Sequence, residues 1–230
     1  EAPTPVLRTI QTKTGHNFSI YRERPLVGTV ANFMTAAECQ EVVMEKGNID
    51  QLVQAHVGSG GGGTSTSSAR ETLTNNIFVN WDVEDIVSRV AKRLFDLSSE
   101  MLGEDLNYEG QEPINLLHYV KGFEYRPHHD GMSGTKPPKG KRIGTTLVYC
   151  EAADEGGGTV FPTGVGKVKV KFQPTPGSVL FFAYNPDLRG EATHAACPVI
   201  AGNKTTLTQW YRRGTSSTKN WDEYEAWGKF

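Results

Sequence analysis

The chain has 230 residues and a formal net charge of −2, from 24 lysines and arginines against 26 aspartates and glutamates. Hydrophobic residues make up 37% of it, which with 25 glycines is a globular composition able to bury a core. No apolar run approaches the roughly 20 residues of a membrane-spanning helix, and the near-neutral charge gives no basis for nucleic-acid binding. Three cysteines allow at most one disulfide, which excludes a disulfide-built scaffold and leaves the cellular compartment open.

About residues 1–110 are expected to form a supporting region that is mainly helical. Thr35-Ala36-Ala37-Glu38 has the spacing of a helix capping box, and it follows a short predicted strand at residues 26–33. A second helix is predicted from Asp82, because apolar residues recur at three- and four-residue steps, and Gly103 stands where a glycine commonly ends a helix. The apolar series is Val83, Ile86, Val87, Val90, Leu94, Leu97 and Leu102.

Between the two predicted helices, residues 58–68 consist of glycine, serine and threonine. Such a stretch has no preference for one backbone shape, so we interpret it as a loop. A phosphate-binding loop is disfavoured, because no Gly-Lys-Ser/Thr ending and no following helix are present. Two hypotheses stay open for this loop and for residues 131–141: each is either a movable rim of a binding site or a simple surface loop.

After residue 110 the sequence changes to short β runs separated by turn-forming clusters of glycine, proline, asparagine and aspartate. Candidate strands span residues 114–119, 123–129, 144–150, 167–172, 178–184, 193–199 and 205–211. This pattern predicts a mainly β domain with flanking helices, an α+β fold whose core is a barrel or sandwich. Because neither a repeat nor a linker is visible, residues 1–230 are expected to form one domain, with its β core at about 111–215 and a tail at 216–230.

The step His128-His129-Asp130 indicates a metal site. Residues two apart on an extended strand point to the same side, so His128 and Asp130 can bind one ion while His129 faces away. A third ligand from a distant strand would complete the set of two histidines and one carboxylate that is typical of non-haem Fe(II) oxygenases. Taken alone the step is weak, because a surface histidine beside a turn aspartate has the same appearance.

Two further polar groups lie downstream: His194, in Thr193-His194-Ala195-Ala196-Cys197-Pro198, and Lys204 ten residues later. With these, the sequence resembles the prolyl 4-hydroxylase family of 2-oxoglutarate, Fe(II)-dependent dioxygenases over about residues 20–215. The resemblance is sharpest at residues 119–130, 142–162 and 194–210.

This resemblance implies a double-stranded β-helix (jelly-roll) core. It implies that His128, Asp130 and His194 are the iron ligands and that Lys204 binds the distal carboxylate of 2-oxoglutarate. An ammonium group is a natural buried partner for a carboxylate. By itself, Lys204 would be read as a solvated lysine of a hairpin.

By the same resemblance, Tyr119 and Thr159 are further contacts of the cosubstrate. Thr159 lies in Gly-Gly-Gly-Thr-Val-Phe-Pro at 156–162, which is similar to the family's Gly-Gly-Glu-Thr-x-Phe-Pro strand. Gly158 departs from that pattern by replacing the acidic residue, and Thr205 stands where the family often has an aromatic residue. The implied cofactors are Fe(II), 2-oxoglutarate as cosubstrate, O2, and ascorbate as the reductant.

Four residues are candidates for contact with the substrate. Trp210 shares a strand face with Lys204 by two-residue alternation, and in relatives a tryptophan at this place looks onto the peptide. Tyr125 and Arg142 are similarly placed, and Arg70 follows the glycine/serine stretch. Each has a structural alternative, because aromatic residues in strands usually pack in the core and arginines usually lie on the surface.

Together these patterns predict an enzyme that hydroxylates prolyl residues in a peptide or protein, giving 4-hydroxyproline, succinate and CO2. The expected partner is a proline-containing peptide or protein, without nucleic acid and without a membrane-spanning segment in this chain; the oligomeric state is open. The resemblance favours the endoplasmic reticulum or secretory pathway, with the cytoplasm as the alternative. The functional alternatives are the same chemistry on a free amino acid, another side chain or a small metabolite, a catalytically silent jelly-roll binding module, and a zinc hydrolase. A zinc hydrolase would not require Lys204, and the zinc-binding motif HExxH is absent from the sequence.

Overall fold

The computed structural model of the chain describes residues 3–55, 57–58, 64–65, 70–131, 141–162, 169–184 and 192–221. Most of the predicted loop at 58–68, of the rim at 131–141 and of the tail at 216–230 lies outside these ranges, so the hypotheses about them stay predictions. In the described residues, no helix is both long and apolar enough to cross a bilayer.

The described chain is mostly β-strand, as the sequence predicts. In chain order, the strands are β1 (Arg8–Gln11), β2 (Asn17–Glu23), β3 (Leu26–Val30), β4 (Val53–Gln54), β5 (Val57–Gly58), β6 (Thr64–Ser65), β7 (Leu73–Ile77), β8 (Ile114–Tyr119), β9 (Tyr125–His128), β10 (Arg142–Glu151), β11 (Glu155–Gly156), β12 (Thr159–Phe161), β13 (Val170–Phe172), β14 (Val179–Ala183), β15 (His194–Ala196), β16 (Val199–Ala201) and β17 (Lys204–Arg212).

The predicted capping box forms at the start of helix α1 (Ala36–Gln40). Thr35 accepts a hydrogen bond from the backbone N–H of Glu38, and the Glu38 carboxylate accepts one from the backbone N–H of Thr35. The helix continues as a π-helical segment, Glu41–Lys46, which ends at Gly47. A 3-10 turn, Ile49–Gln51, follows.

Helix α2 (Ile86–Leu102) begins four residues later than the sequence predicts. Asp85, not Asp82, is the N-cap, because its carboxylate accepts a hydrogen bond from Ser88 N and the Ser88 hydroxyl accepts one from Asp85 N. Val83 fits the apolar spacing but lies outside the helix. At the other end, Gly103 has a φ of 65°, the left-handed conformation that glycine adopts most easily.

Two sheets form the core. The larger has the strand order β1-β2-β3-β14-β10-β17-β8-β7-β4, and the smaller has the order β13-β12-β15-β9. Pairing in both is antiparallel; representative pairs are β10 with β17, and β15 with β9. Apolar side chains from both sheets pack in one cluster that includes Tyr149 of the larger sheet and Phe161 of the smaller. This architecture confirms the predicted mainly β fold with a jelly-roll core and flanking helices.

The N-terminal region contributes more strand than the predicted helical support implies. Strands β1, β2 and β7 join β3, which was predicted at residues 26–33, in the larger sheet, while the helical segments between residues 36 and 51 and α2 match the expected helices. In β2, Phe18, Ile20 and Arg22 are buried at alternate positions. The polar Arg22 interrupts the apolar alternation, which explains why the sequence gives no clear strand signal there.

Strands β10 and β17 divide the interior into two faces. Val148 and Leu207 belong to the apolar cluster that includes the inner residues of α2. Leu147 and Thr206, their neighbours in sequence, point instead into a pocket on the opposite face. Since side chains alternate along a strand, the same two strands supply the packing surface for the helices and the wall of the pocket.

A disulfide joins Cys39 of α1 to Cys150 of β10, with 5.3 Å between the Cα atoms. Cys197 is a free thiol, so the three cysteines make the single bond that the sequence allows. The bond connects residues 111 apart in sequence and fastens the N-terminal helix to a central strand of the larger sheet.

Candidate active site

The two predicted histidine ligands lie opposite each other on neighbouring strands. In the pairing of β15 with β9, His194 is the direct partner of His128. Directly opposed residues point to the same face of a sheet, and the two imidazole centroids are accordingly 4.2 Å apart. Asp130 follows His128 by two residues and faces the same space. Its Oδ1 lies 3.5 Å from Nε2 of His128, and its Oδ2 lies 3.6 Å from Nε2 of His194.

Both histidines are oriented by a backbone carbonyl two residues upstream. Nδ1 of His128 lies 2.8 Å from the carbonyl oxygen of Arg126, and Nδ1 of His194 lies 3.0 Å from that of Ala192. Because a carbonyl oxygen only accepts hydrogen bonds, each Nδ1 carries a hydrogen, and Nε2 is the ring atom that faces Asp130. Burial lowers the pKa of His194 to about 4, although Asp130 opposes this, so the ring is neutral at pH 7.

Asp130 is buried yet ionised. Burial alone would raise the pKa of its carboxyl group, but the adjacent His194 and His128 and the nearby Arg142 hold that pKa well below the usual value. The Thr145 hydroxyl donates a hydrogen bond of 2.9 Å to Oδ2 of the same carboxylate. The charge is therefore available at pH 7 as a metal ligand.

These three residues fit a divalent transition metal. One ligand atom from each lies within 4.8 Å of the others, with two imidazole nitrogens and one carboxylate oxygen in the set. Two histidines and one carboxylate on a single face leave coordination positions for other ligands, as in non-haem Fe(II) oxygenases. The carbonyl partners of both Nδ1 atoms match the outer contacts that metal-bound histidines commonly make.

Lys204 lies in the same pocket, six residues along β17 from Trp210, whose strand partner Thr145 is hydrogen-bonded to Asp130. Its surroundings are therefore the other end of the pocket from the candidate metal ligands. It is 2% exposed, and its Nζ donates a hydrogen bond of 2.8 Å to the carbonyl oxygen of Gly157. The same Nζ is 5.2 Å from the ring centroid of Tyr119 and 5.5 Å from that of Tyr149. Burial lowers the pKa of Lys204 to about 8, and no carboxylate pairs with it in the part of the chain described. A buried cation with neutral partners fits an anionic group of a ligand.

Tyr119 and Thr159, the other predicted cosubstrate contacts, lie beside Lys204. Tyr119 is its direct partner across the β8–β17 pair. Burial raises the pKa of Tyr119 to about 12, so the phenol keeps its hydrogen at pH 7 and can donate it. The Thr159 hydroxyl is 2.8 Å from the hydroxyl of Tyr149, a residue that the sequence analysis missed. The alternation of Thr145, Leu147 and Tyr149 along the predicted strand is the signal that would have found it.

Nine of the ten predicted site residues line one pocket between the two sheets. They are Arg70, Tyr119, Tyr125, His128, Asp130, Thr159, His194, Lys204 and Trp210. The structure thus brings together residues separated by up to 140 positions in sequence. Their individual roles stay predictions.

Tyr125 stacks on His128, one of the candidate iron ligands, and Arg70 lies against Tyr125. The ring of Tyr125 is nearly parallel to that of His128, at 12° and 3.4 Å between centroids. The guanidinium of Arg70 lies 5.0 Å from the Tyr125 ring centroid on this wall of the pocket. Trp210 lines the pocket from β17.

Arg142, the remaining predicted site residue, is not among the residues that line this pocket. Its guanidinium forms two hydrogen bonds to the buried carboxylate of Glu112, and its Nη1 donates to the backbone carbonyl of Asp130 at 3.2 Å. It also lies 4.1 Å from the ring centroid of Trp210. Glu112, which binds Arg212 as well, was not predicted. The predicted direct contact of Arg142 with substrate stays a prediction, since these partners occupy much of its guanidinium.

Comparisons with known proteins show which proteins this chain resembles. The model of the 2OG-Fe(II) oxygenase superfamily matches residues 114–212, the segment that runs from β8 to β17. Prolyl 4-hydroxylase 5 of Arabidopsis thaliana is 28% identical over 201 residues, which are 78% of this chain and 66% of the relative. The prolyl 4-hydroxylase subunit alpha-1 of Rattus norvegicus is 30% identical over 159 residues, which are 64% of this chain and 28% of that protein. The chain thus spans just under two thirds of the plant relative and a smaller part of the rat one.

Solved structures show the same fold. A viral collagen prolyl hydroxylase from Paramecium Bursaria Chlorella virus-1, solved as a 2OG complex, aligns with a TM-score of 0.58 and 24% identity, covering 81% of this chain and 96% of that one. A prolyl hydroxylase from Trichoplax adhaerens, solved with a peptide fragment of hypoxia inducible factor, aligns with a TM-score of 0.58 and 18% identity, covering 81% and 83%. In sequence and in fold, the chain is therefore similar to 2OG-Fe(II) oxygenases of the prolyl 4-hydroxylase family.

Proposed function

We propose that this chain hydroxylates prolyl residues in a peptide or protein, using 2-oxoglutarate and O2 and giving 4-hydroxyproline, succinate and CO2. The observation that carries the proposal is the presence, in one pocket, of the His128–Asp130–His194 set and the buried Lys204. A metal site alone would suit several reactions. A metal site that shares its pocket with a buried cation suits a keto acid that carries a second carboxylate.

Each group in the pocket has a separate task. His128, Asp130 and His194 would hold Fe(II), which when bound supplies the oxidation of the keto acid and of the substrate C–H bond with O2. The ammonium of Lys204 neutralises the distal carboxylate of 2-oxoglutarate, and the Tyr119 hydroxyl donates to it. The apolar walls between the two ends exclude water from the reacting atoms.

Two aromatic residues of the pocket support an extended, proline-rich substrate. Tyr125 and Trp210 line the pocket, and Arg70 lies against Tyr125. Segments in the polyproline II conformation lose little entropy on binding and dock well on aromatic grooves. The names of the plant and rat relatives support the same target, a prolyl side chain.

Ascorbate as the reductant and a location in the endoplasmic reticulum or secretory pathway are also part of the proposal. The family resemblance supports both, and the Cys39–Cys150 bond supports the second, because disulfides persist in oxidising compartments. The test of location is thiol alkylation of the protein taken rapidly from its cells. Alkylation of Cys197 alone is expected, whereas alkylation of all three cysteines would contradict an oxidising compartment.

The test of activity combines succinate measurement with mass spectrometry of the substrate. A proline-rich peptide is expected to stimulate succinate formation and to gain about 16 Da per modified proline, located by fragmentation, whereas free proline gains nothing. His16→Ala is the matched control for the ligand variants, because His16 lies between β1 and β2, outside the pocket. Hydroxylation of free proline but of no peptide would replace the proposed substrate. Absence of both succinate and hydroxylation with any substrate would contradict the oxygenase proposal.

A further inference from the structure

A threonine and a tyrosine are linked to Asp130 by hydrogen bonds, and neither is among the residues that the sequence singles out. The Thr145 hydroxyl donates to Oδ2 of Asp130 at 2.9 Å. The same hydroxyl oxygen is hydrogen-bonded to the phenol of Tyr184, the residue that follows β14. A carboxylate only accepts and the threonine has one hydroxyl hydrogen, so Tyr184 must donate to Thr145 while Thr145 donates to Asp130.

Both members of this pair are fixed by the sheet. Thr145 is fully buried on β10 and pairs with Trp210 of β17 on one side and with Phe182 of β14 on the other. The backbone N–H of Tyr184 donates to the carbonyl oxygen of Ile143, which attaches Tyr184 to β10 as well. A hydrogen bond whose donor itself accepts a hydrogen bond is strengthened by polarisation.

The contacts of Asp130 other than the hydrogen bond from Thr145 do not fix the rotation of its carboxylate group. Arg142 holds the backbone carbonyl of Asp130, which positions the Cα atom but not the carboxylate plane. The His128 and His194 Nε2 atoms lie 3.5 and 3.6 Å from the two carboxylate oxygens, too far for strong hydrogen bonds. The 2.9 Å bond from Thr145 is therefore the short contact that selects one orientation of the carboxylate plane.

We propose that Thr145 and Tyr184 are positioning residues, which fix the orientation of the Asp130 carboxylate and thereby set the affinity of the site for a divalent metal ion. The inference rests on the proposed function, because it requires His128, Asp130 and His194 to bind a metal. Residues that orient metal ligands commonly change metal affinity by about 10- to 100-fold when they are removed.

The chain contains a matched control pair one residue away. Thr146 is also fully buried on β10, and its hydroxyl is 2.7 Å from the hydroxyl of Tyr211. This second threonine–tyrosine pair faces the helix side of the sheet and contacts no candidate ligand. Its loss costs a buried hydrogen bond, as loss of the first pair does, but leaves the orientation of Asp130 unchanged.

The experiment measures the binding of Mn(II) alone to the metal-free full chain, by isothermal titration calorimetry. Thr145→Val is expected to raise the Kd about 10- to 100-fold, and Tyr184→Phe about tenfold or less because it acts through Thr145. Thr145→Ser keeps the hydroxyl and is expected to stay within about threefold of the unaltered chain. Thr146→Val and Tyr211→Phe are expected to leave the Kd unchanged, whatever their effect on the thermal unfolding midpoint.

An unchanged Kd in Thr145→Val overturns the inference, and so does an equal rise in Thr145→Val and Thr146→Val. Should Thr145→Val not fold, Tyr184→Phe decides by the same comparison with Tyr211→Phe. If the unaltered chain does not bind Mn(II), the proposed metal centre is wrong and the inference fails with it. If the Kd values change as expected but no substrate is hydroxylated, the positioning pair is supported and the proposed function is contradicted.

Discussion

The two ends of the pocket handle charge in opposite ways. At the metal end, a carboxylate and two imidazoles face one point, and each is held by a further hydrogen bond. At the other end, the positive charge of Lys204 is buried against one carbonyl oxygen and two aromatic rings. The pKa of Asp130 lies well below its usual value, whereas burial lowers that of Lys204 to about 8.

The difference indicates what each end requires from a ligand. Neighbouring groups already stabilise the carboxylate of Asp130, so this end is ready for a cation. The charge of Lys204 lacks a carboxylate partner among the described residues, so that end gains most from an anion. A keto diacid satisfies both ends together, because one end of it can bind a metal while the other meets the ammonium.

The strongest test of the comparison removes a metal ligand. His194→Ala is expected to lower substrate-dependent succinate formation by at least about a thousandfold, because two ligands no longer enclose the ion. The measurement is succinate formed per minute at saturating Fe(II), with His16→Ala as the control. Retention of more than about a tenth of the turnover would show that His194 is not a ligand.

The next test removes the charge at the other end. Lys204→Met keeps most of the side-chain volume and is expected to raise the KM for 2-oxoglutarate about 100-fold, with Mn(II) affinity changed little, because the lost ion pair is far from the ligands. Lys121→Met, at an exposed position, is the control. Equal losses of metal and 2-oxoglutarate affinity would mean that the two ends are not separate.

The pH dependence of 2-oxoglutarate binding sharpens the same contrast. The carboxylate binds the charged form of Lys204, whose pKa is about 8 in the empty pocket. Affinity is therefore expected to be flat below pH 8 and to fall about tenfold per pH unit above it. Calorimetry of the Mn(II)-loaded protein between pH 7 and 9.5 measures this. In Lys204→Met, the affinity for 2-oxoglutarate should not begin to fall near pH 8. If it still does, the pH dependence comes from another titrating group.

Removal of the disulfide is expected to change the site less than the other substitutions do. Cys39→Ser combined with Cys150→Ser is expected to lower the free energy of unfolding by about 2–5 kcal/mol, measured by chemical denaturation. Cys150 adjoins Tyr149, near Lys204, whereas Thr145 lies farther along β10. A rise of a few-fold in the KM for 2-oxoglutarate with unchanged Mn(II) affinity is therefore expected. A larger loss at the metal end would contradict this assignment.

Local patterns were sufficient for much of the fold. Strand β8 has its predicted bounds, 114–119, because it lies between Pro113 and the turn at Lys121-Gly122. The start of α2 was wrong, because the apolar spacing includes Val83 while the cap at Asp85 decides where the helix begins. The spacing of apolar residues predicts which face of a helix each would occupy. It does not show which backbone N–H groups are capped, and so does not show where the helix begins.

The shared pocket was predictable at His128 and Asp130 from their two-residue spacing, and at Lys204 from the family resemblance. Glu112 was missed because its role depends on Arg142 and Arg212, 30 and 100 residues away. Thr145 was missed for the same reason, since only the fold brings it to Asp130. Contacts between distant strands leave no periodic signal in one sequence.

The alternation of side chains along β17 also limits how this chain can diversify. Thr206 and Thr208 face the pocket, while Leu207 between them packs against the helix layer. A substitution at either threonine can alter ligand preference and leave the apolar packing intact. A single inserted or deleted residue would exchange the two faces, placing a leucine where the ligand binds and a threonine in the core. Descendants of this sequence are therefore expected to differ along β17 by substitutions, and not by insertions or deletions that change the length of the strand.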